Sequence, residues 1–402
     1  MEIRPILSTL QRHKTAAALI ILEIALSCAI ISNALFLIGN RVERMQRPSG
    51  LAENEIFSIG ITGIGLDQNA RALTETDLVA LRRIPGVKFA SSVSQVPFGD
   101  SMWVSGLKLT ADQRVPTLDV NDYNGGSQTF DTLGLRLVQG RRFTDAEFSW
   151  ADDKNAKISS VILTQSVADK LFPGQSALGK SVYTGDSPLK VVGIVENLAR
   201  VNDYGGTEAY NDSMLSPVNI SYADGNRYLL RTDPERRQEV LRQAVAVLEK
   251  NNASRIIQGK TTLEDMRHDF YRQDRSMSWL LITMSIALLI VTALGIVGLA
   301  SFWVQQRTKQ IGIRRALGAT RGQILRYFQI ENFLLASIGI VLGMLLAYSI
   351  NVWLMARYEL PRLPLIYLPI GALLLWALGQ IAVYWPARRA ALVPPAVATR
   401  SA

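Results

Sequence analysis

The sequence predicts an integral membrane protein with four transmembrane α-helices, arranged one plus three, and a large two-lobed α+β domain in water between the first and the second. Three observations predict it. The chain of 402 residues is 48% apolar, with the apolar residues gathered into four long stretches. Its arginines and lysines cluster beside those stretches, and the segment between the first two alternates strand-like with helix-like patterns. A bilayer core about 30 Å thick is crossed by roughly 20 apolar residues of helix. Residues 15–40 carry a single charge, Glu23, and residues 276–306, 332–356 and 363–387 carry none.

Residues 1–14 form the N-terminal segment and residues 15–39 the first transmembrane helix. Lys14 ahead of an apolar run and Ser32-Asn33-Ala34 within it also suit a cleaved signal peptide. The run continues through Leu35-Phe36-Leu37-Ile38, beyond the roughly 15 residues at which a signal's apolar region ends, so an uncleaved anchor fits better. The water-facing domain spans 40–277. Helix 2 (278–304), a loop (305–331), helix 3 (332–356), a short loop (357–363), helix 4 (364–386) and a tail (387–402) follow.

The positive charge gives the orientation. Arg4, Arg12 and Lys14 precede the first span; Arg307, Lys309, Arg314, Arg315, Arg321 and Arg326 fill the loop after the second, with no acid from Arg307 to Arg326; Arg388, Arg389 and Arg400 follow the fourth. Short flanking segments rich in Lys and Arg stay in the cytoplasm. Both termini are therefore expected in the cytoplasm and 40–277 on the outer side of the membrane. Residues 39–277 hold 29 basic and 30 acidic residues, so of the overall +9 the other segments carry +10. A pI near 9.6 thus belongs to membrane topology, and nucleic acid is excluded as a partner. The one cysteine, Cys28, lies in the first span, so the outer domain has no disulfide. His13 and His268 fall on opposite sides of the membrane, and neither a metal site nor a nucleophile–base pair can be assembled from them.

Within the outer domain, Ile56 to Ile64 reads as strand; Thr74 as the N-cap of a helix, with Asp77 three residues on and Leu78 and Leu81 on its apolar side; Pro85-Gly86 as its end; and Val87 to Val93 as strand. The pattern recurs in Tyr228 to Arg231 (strand), a helix opened by Asp233-Pro234 with Val240, Leu241, Ala244, Val247 and Leu248 at helical spacing, and Arg255 to Ile257 (strand). Two such units so far apart predict a split βαβ lobe, 55–96 with 217–260, and an inserted lobe, 97–216. That insert contains Gly174-Gln175-Ser176-Ala177-Leu178-Gly179-Lys180-Ser181, which satisfies the phosphate-loop expression G-x-x-x-x-G-K-[ST]. A working phosphate loop follows a strand and opens a helix. Here Gln165 to Phe172 reads as helix before it and Ser181-Val182-Tyr183 as strand after it, and the segment faces away from cytoplasmic ATP, so the loop reads as a surface turn.

Gln305 to Leu325 is the segment expected to carry function. Ile311, Ala316, Leu317, Ile324 and Leu325 form one side of two short helices broken at Gly318, with arginines on the other. Such a segment either rests on anionic lipid or docks a cytoplasmic partner. Ile311-Gly312-Ile313-Arg314-Arg315-Ala316-Leu317-Gly318-Ala319-Thr320 closely resembles the signature that follows the second span in the FtsX-like permeases of MacB-type ABC transporters. Gly134-Leu135-Arg136-Leu137, Gly140-Arg141-Arg142-Phe143, Leu171-Phe172-Pro173-Gly174, Leu178-Gly179-Lys180, Val191-Val192-Gly193-Ile194-Val195 and the closing Pro386-Ala387-Arg388-Arg389-Ala390-Ala391 resemble the same family. The likeness covers most of the chain.

This resemblance implies a non-catalytic permease subunit that binds no cofactor, its ATP and Mg being held by a separate ABC ATPase, because no cytoplasmic segment here is large enough for a nucleotide-binding domain. It implies a second permease chain, identical or not, and in double-membrane bacteria often a periplasmic adaptor and an outer-membrane channel. Gln310, Ile311, Gly312, Ile313, Arg314, Arg315, Ala316, Leu317, Gly318, Ala319 and Arg321 would meet the ATPase, and ATP-driven motion would do its work outside the bilayer, as mechanotransmission. Many relatives carry acids where this chain has Gln306 and Gln310, a departure that fits pairing with a non-identical permease or polar drift. The implied function is export, or extraction of amphiphilic or peptide-like substrates; the alternative is a non-transporting regulator of a cell-wall hydrolase or sensor, which a large two-lobed domain disfavours.

Three further features fit such a mechanism. Leu263 to Trp279 reads as one charged helix running into the second span, with Arg267, Asp269, Arg272, Asp274 and Arg275 on its solvated faces. Gly339, Gly343 and Ala347 place small residues on one side of the third span, for packing within the chain or against a second copy. Glu23 lies about 12 Å into the first span, where a carboxylate needs a partner, a proton, or a hydrogen bond at a helix interface.

Overall fold

The computed structural model describes residues 14–63, 69–100, 102–153, 158–202, 206–222, 227–358 and 362–392. Arg4, Arg12, His13, Ile64 and Arg400 lie outside the described residues. The chain forms two compact units, Met1–Met45 with Gln273–Ala402, and Gln46–Arg272. It begins with helix α1 (Lys14–Gln46) of the first unit.

In the second unit, β1 (Ile56–Gly63), α2 (Ala70–Arg82) and β2 (Val87–Val93) come first. An insertion follows: β3 (Val104–Lys108), β4 (Leu118–Asn124), α3 (Thr129–Leu133), β5 (Leu137–Gly140), β6 (Ser149–Trp150), β7 (Ser160–Thr164), α4 (Gln165–Leu171), β8 (Ser181–Thr184), β9 (Ser187–Val195), β10 (Ser213–Ser216) and β11 (Val218–Asn219). The first pattern then resumes with β12 (Arg227–Thr232), α5 (Arg237–Asn251) and β13 (Arg255–Thr262). The outer strands pair in the order β13-β1-β12-β2, each antiparallel to its neighbour. This is the split βαβ arrangement, in which each helix crosses over a strand supplied by the other half. Phe57, Ile59 and Ile61 of β1 meet Leu81 of α2 and Val240, Ala244 and Leu248 of α5 in one core.

Two residues have roles other than those expected of them. The α2 helix begins at Ala70, so Thr74 lies in its second turn, buried, donating to Ala70 O (2.8 Å) and accepting from Tyr222 N (3.0 Å). Asp77 is not a capping residue. It is fully buried and paired with Arg255 of β13, and also accepts from Tyr228 Oη (2.9 Å) and Asn251 Nδ2 (3.0 Å).

In the insertion, pairings run β9-β7-β10-β4-β3-β8, and β8 returns to β9, so six strands close on themselves around Leu107, Val120, Leu163, Val182 and Val191. Closure leaves no long edge exposed. The Gly174 loop follows α4 and precedes β8, the reverse of the order a phosphate loop needs. Lys180 lies over the Phe172 ring, 4.5 Å from its centroid, and donates to Gln175.

The Gly140-Arg141-Arg142-Phe143 run folds a loop. Gly140 has φ +81°, and an added Cβ would meet Val192 O at 2.3 Å. Arg141 reaches both carboxylate oxygens of Glu147 (2.7 and 3.0 Å), which in turn accepts from Thr144 N in a capping box. The Arg141 guanidinium, and after it the Thr144 hydrogen bonds, hold the Glu147 carboxyl down at about 2. A depressed carboxyl contributes stability above its ordinary value near 4.5 and loses it as pH falls through about 2. Arg141→Ala is therefore expected to speed hydrogen exchange of residues 141–148 at neutral pH, the difference from wild type shrinking as pH drops toward 2.

Helix α6 (Leu263–Phe270) follows β13, and then come the helices of the first unit: α7 (Arg272–Gln306), α8 (Thr308–Ala316), α9 (Arg321–Tyr358) and α10 (Tyr367–Ala391). Four of its helices, α1, α7, α9 and α10, are long and apolar enough to cross a membrane. α1, α7 and α9 outrun the predicted spans at both ends and α10 at its C-terminal end, because a helix continues into charged turns until a stop signal intervenes, whereas α10 begins only at Tyr367. The largest difference lies in 321–331, where the expected second short helix is the start of α9. Leu263 to Trp279 is not one unbroken helix: α6 ends at Phe270 and α7 begins at Arg272, with buried Tyr271 (φ −90°, ψ 13°) between them.

Candidate functional site

The basic segment after α7 is a helical hairpin whose local structure follows from its residues. Gly318, at φ +98°, ends α8: its N–H bonds to Arg315 O (3.1 Å) and that of Ala319 to Arg314 O (3.0 Å). Only glycine takes that left-handed position cheaply. Thr320 then opens α9 in a reciprocal capping box, Gln323 N donating to its hydroxyl (3.3 Å) and Thr320 N to Gln323 Oε1 (2.9 Å). Ala-Leu-Gly-Ala-Thr-Arg-Gly-Gln is thus one stop followed at once by one start.

The hairpin is anchored at its root and open at its tip. Arg307, between α7 and α8, donates Nη1 to both carboxylate oxygens of Glu331 on α9 (3.0 and 2.8 Å), and both side chains are buried. Arg307 also lies over the Trp303 ring. Arg315 Nη1 donates to Ala391 O (2.6 Å) at the end of α10, where the helix dipole favours a cation. This gives the closing Pro386-Ala387-Arg388-Arg389-Ala390-Ala391 its physical sense: Ala387, Ala390 and Ala391 are buried and Arg388 and Arg389 face outward. At the tip, Ile313 is 46% and Leu317 83% exposed.

The residues singled out from the sequence therefore separate into groups. Ile311 and Gly312 are buried, and Ile311 joins Ile324 in the core of the first unit. Gln310, Ile313, Arg314, Ala316, Leu317, Gly318 and Arg321 are exposed and Ala319 half-buried. Ala316 and Leu317 do not share a buried side with Ile311 as expected, because α8 ends at Ala316 and the turn carries Leu317 outward. Arg314 is not isolated on an opposite face either: its guanidinium lies 5.1 Å from the Tyr327 ring centroid.

Gly339 and Gly343 receive α1: an added Cβ would meet Ile21 O at 2.9 Å and Ala25 O at 2.6 Å. Ala347 O accepts from Asn33 Nδ2 (3.3 Å). The small stripe thus packs within the chain. Glu23 rests its carboxylate on the bare backbone of Gly295 on α7 and forms no ion pair among the described residues. One turn away in chain order, the Ser27 and Thr292 hydroxyls lie 2.8 Å apart.

At the other end of these helices, Asp274 of α7 is buried and paired with Arg41 (2.5 Å) and Arg44 (3.4 Å) of α1, not solvated. Within the second unit, Arg267 of α6 is likewise engaged. It binds the Glu53 carboxylate and Arg47 O (2.6 Å) and lies over the Phe98 ring, clipping the segment after α1 to α6. Asp269 and Arg272 are exposed and Arg275 half-buried.

Sequence reasoning missed Glu331. The signal was present: from Ser276 onward the only acids are Glu331 and Glu359, and Glu331 abuts an apolar run. A carboxylate so placed requires a cation.

A family model described as the MacB-like periplasmic core domain matches residues 17–253, and one described as the FtsX-like permease C-terminal matches residues 282–395. The chain is 27% identical over 359 residues to the macrolide export ATP-binding/permease protein MacB of Neisseria meningitidis, covering 84% of this chain and 51% of that one. It is 25% identical over 368 residues to an uncharacterized ABC transporter permease, YknZ, of Bacillus subtilis, covering 90% and 85%. The periplasmic region of MacB from Actinobacillus actinomycetemcomitans aligns over 56% of this chain and 97% of its own length, at 16% identity and a TM-score of 0.33. The chain spans about half the length of the MacB relatives it matches.

Proposed function

The chain belongs to the ABC transporter permease family that joins a MacB-like periplasmic core domain to an FtsX-like permease region, and from that premise we propose that it is a non-catalytic membrane-spanning subunit that couples a separate ABC ATPase to motion of its extracytoplasmic domain. In this reading α1, α7, α9 and α10 cross the inner membrane with both termini in the cytoplasm, as the positive-inside rule requires of the α8 region and the tail. ATP and Mg stay on the ATPase. A second permease chain completes the assembly, with a periplasmic adaptor and outer-membrane channel where there are two membranes. The work is export or extraction of amphiphilic or peptide-like substrates. No observation favours the regulator alternative.

The observation that carries the reading is a rigidly mounted, exposed tip. Ile313 and Leu317 project from a basic helix whose root is held by Arg307–Glu331 and by Arg315 on Ala391. An exposed apolar side chain in a basic surround suits a partner groove, and a fixed mount transmits displacement. Affinity purification of the full chain from its native cells in mild detergent tests this. An ABC ATPase should accompany the wild type and be lost with Leu317→Asp, a change that touches no packed residue. A chain that purifies alone and hydrolyses ATP by itself sinks the proposal.

A further inference from the structure

We propose that the cavity between α8 and α9 is a binding site for the phosphate headgroup of an anionic phospholipid, an inference that rests on the reading of these helices as membrane-spanning. The cavity measures about 140 Å³, room for roughly four or five waters at about 30 Å³ each, or for a phosphate with its first glycerol carbons. Its polar lining consists of donors: Arg307, Gln310, Arg314 and Gln323, with no acid among them.

Two details point to a ligand. Arg307 is 7% exposed, and while its Nη1 is spent on Glu331, its buried Nη2 finds no hydrogen-bond acceptor. A buried charged donor left open is costly unless something accepts from it. Gln323 has committed its carbonyl oxygen to Thr320 N, which leaves its amide NH₂ as the free end. Donors converging from α9, from the α7–α8 joint and from both turns of α8 suit a tetrahedral group with several acceptor oxygens better than a planar carboxylate. The remaining wall, Ile311, Ala319, Ile324, Tyr327 and Phe328, is apolar but for the Tyr327 hydroxyl. Helix α9 continues into exposed Phe333, Ile338 and Val341, a surface for acyl chains. Charge and greasiness side by side fit a lipid rather than a free anion.

The test reconstitutes the full chain in nanodiscs of phosphatidylcholine mixed with phosphatidylglycerol and measures retained lipid by native mass spectrometry. Wild type should retain phosphatidylglycerol selectively. Arg314→Gln, which leaves the Arg307–Glu331 anchor intact, should weaken retention at least about tenfold. Arg326→Gln, the same charge change on an exposed face outside the cavity, should weaken it no more than about fivefold. Equal losses in the two variants would reduce the effect to general surface attraction and overturn the site. Displacement of phosphatidylglycerol by inorganic phosphate at matched ionic strength would overturn the lipid assignment in favour of a soluble anion. A chain that enters nanodiscs yet enriches no phosphatidylglycerol defeats the inference alone, whereas one that enters neither pure nor mixed nanodiscs defeats the membrane reading with it.

Discussion

Glu331→Ala is expected to destabilise the full chain by about 3–5 kcal/mol, the largest effect of any single change in the first unit. The carboxylate is 1% exposed and takes two hydrogen bonds from Arg307 Nη1. Removing it leaves a buried guanidinium with no counter-charge, and that penalty outweighs whatever the pair itself contributes. In detergent free of anionic lipid, relief comes only if α8 pulls Arg307 out to water, which dismantles the root of the hairpin. The expected result is therefore twofold: a lower unfolding midpoint in detergent, and loss of ATPase copurification at temperatures where the helices remain folded. Arg307→Met combined with Glu331→Leu should recover most of the stability, because a well-packed apolar pair replaces a buried ion pair at little cost. If the single variant melts with the wild type, Arg307 is not uncompensated and the anchor is misassigned.

The four long helices were legible because apolar length is a property of contiguous residues, and β2 was legible to its end residues, Val87 and Val93, because alternation and Pro85-Gly86 are local as well. What the residues did not disclose depends on partners far away in sequence. Glu331 and Arg307 stand 24 positions apart, and Asp77 and Arg255 stand 178 apart. Asp77 had a plausible local reading beside a helix N-cap that tertiary pairing overrode, and Glu331 had no local signal of its partner at all. The early start of α9 was hidden for a different reason. Arg321, Arg326 and Glu331 make that stretch look like a loop to a hydropathy argument, although Thr320 and Gln323 spell a capping box there. Of the candidate site, the stop at Gly318 was legible and the direction of Leu317 was not, since the latter depends on where α8 ends by a single residue.

Asp77→Ala should cost the second unit a comparable 3–5 kcal/mol, and here the consequences spread through one lobe. Asp77 on α2 ties together three other elements: Arg255 on β13, Tyr228 on β12 and Asn251 at the end of α5. Both members of the ion pair are fully buried, and Arg255 also donates to Leu248 O (2.7 Å). Without the carboxylate, the guanidinium keeps only Leu248 O and no counter-charge, and the Tyr228 phenol and the half-buried Asn251 amide lose the acceptor they share beside the Phe57–Ile59–Leu248 core. Asp77→Asn keeps the shape and one acceptor oxygen but removes the charge, so it should fall between Ala and wild type. Hydrogen exchange on the full chain separates this from a general loss of fold. Protection should drop across β1, β12 and β13 while β7 and β9, in the closed insertion with its own core, hold theirs. Uniform loss over both lobes would mean that the two unfold as one unit; no loss in either would mean that Arg255 finds another acceptor, and the pairing would not then hold the halves of the split lobe together.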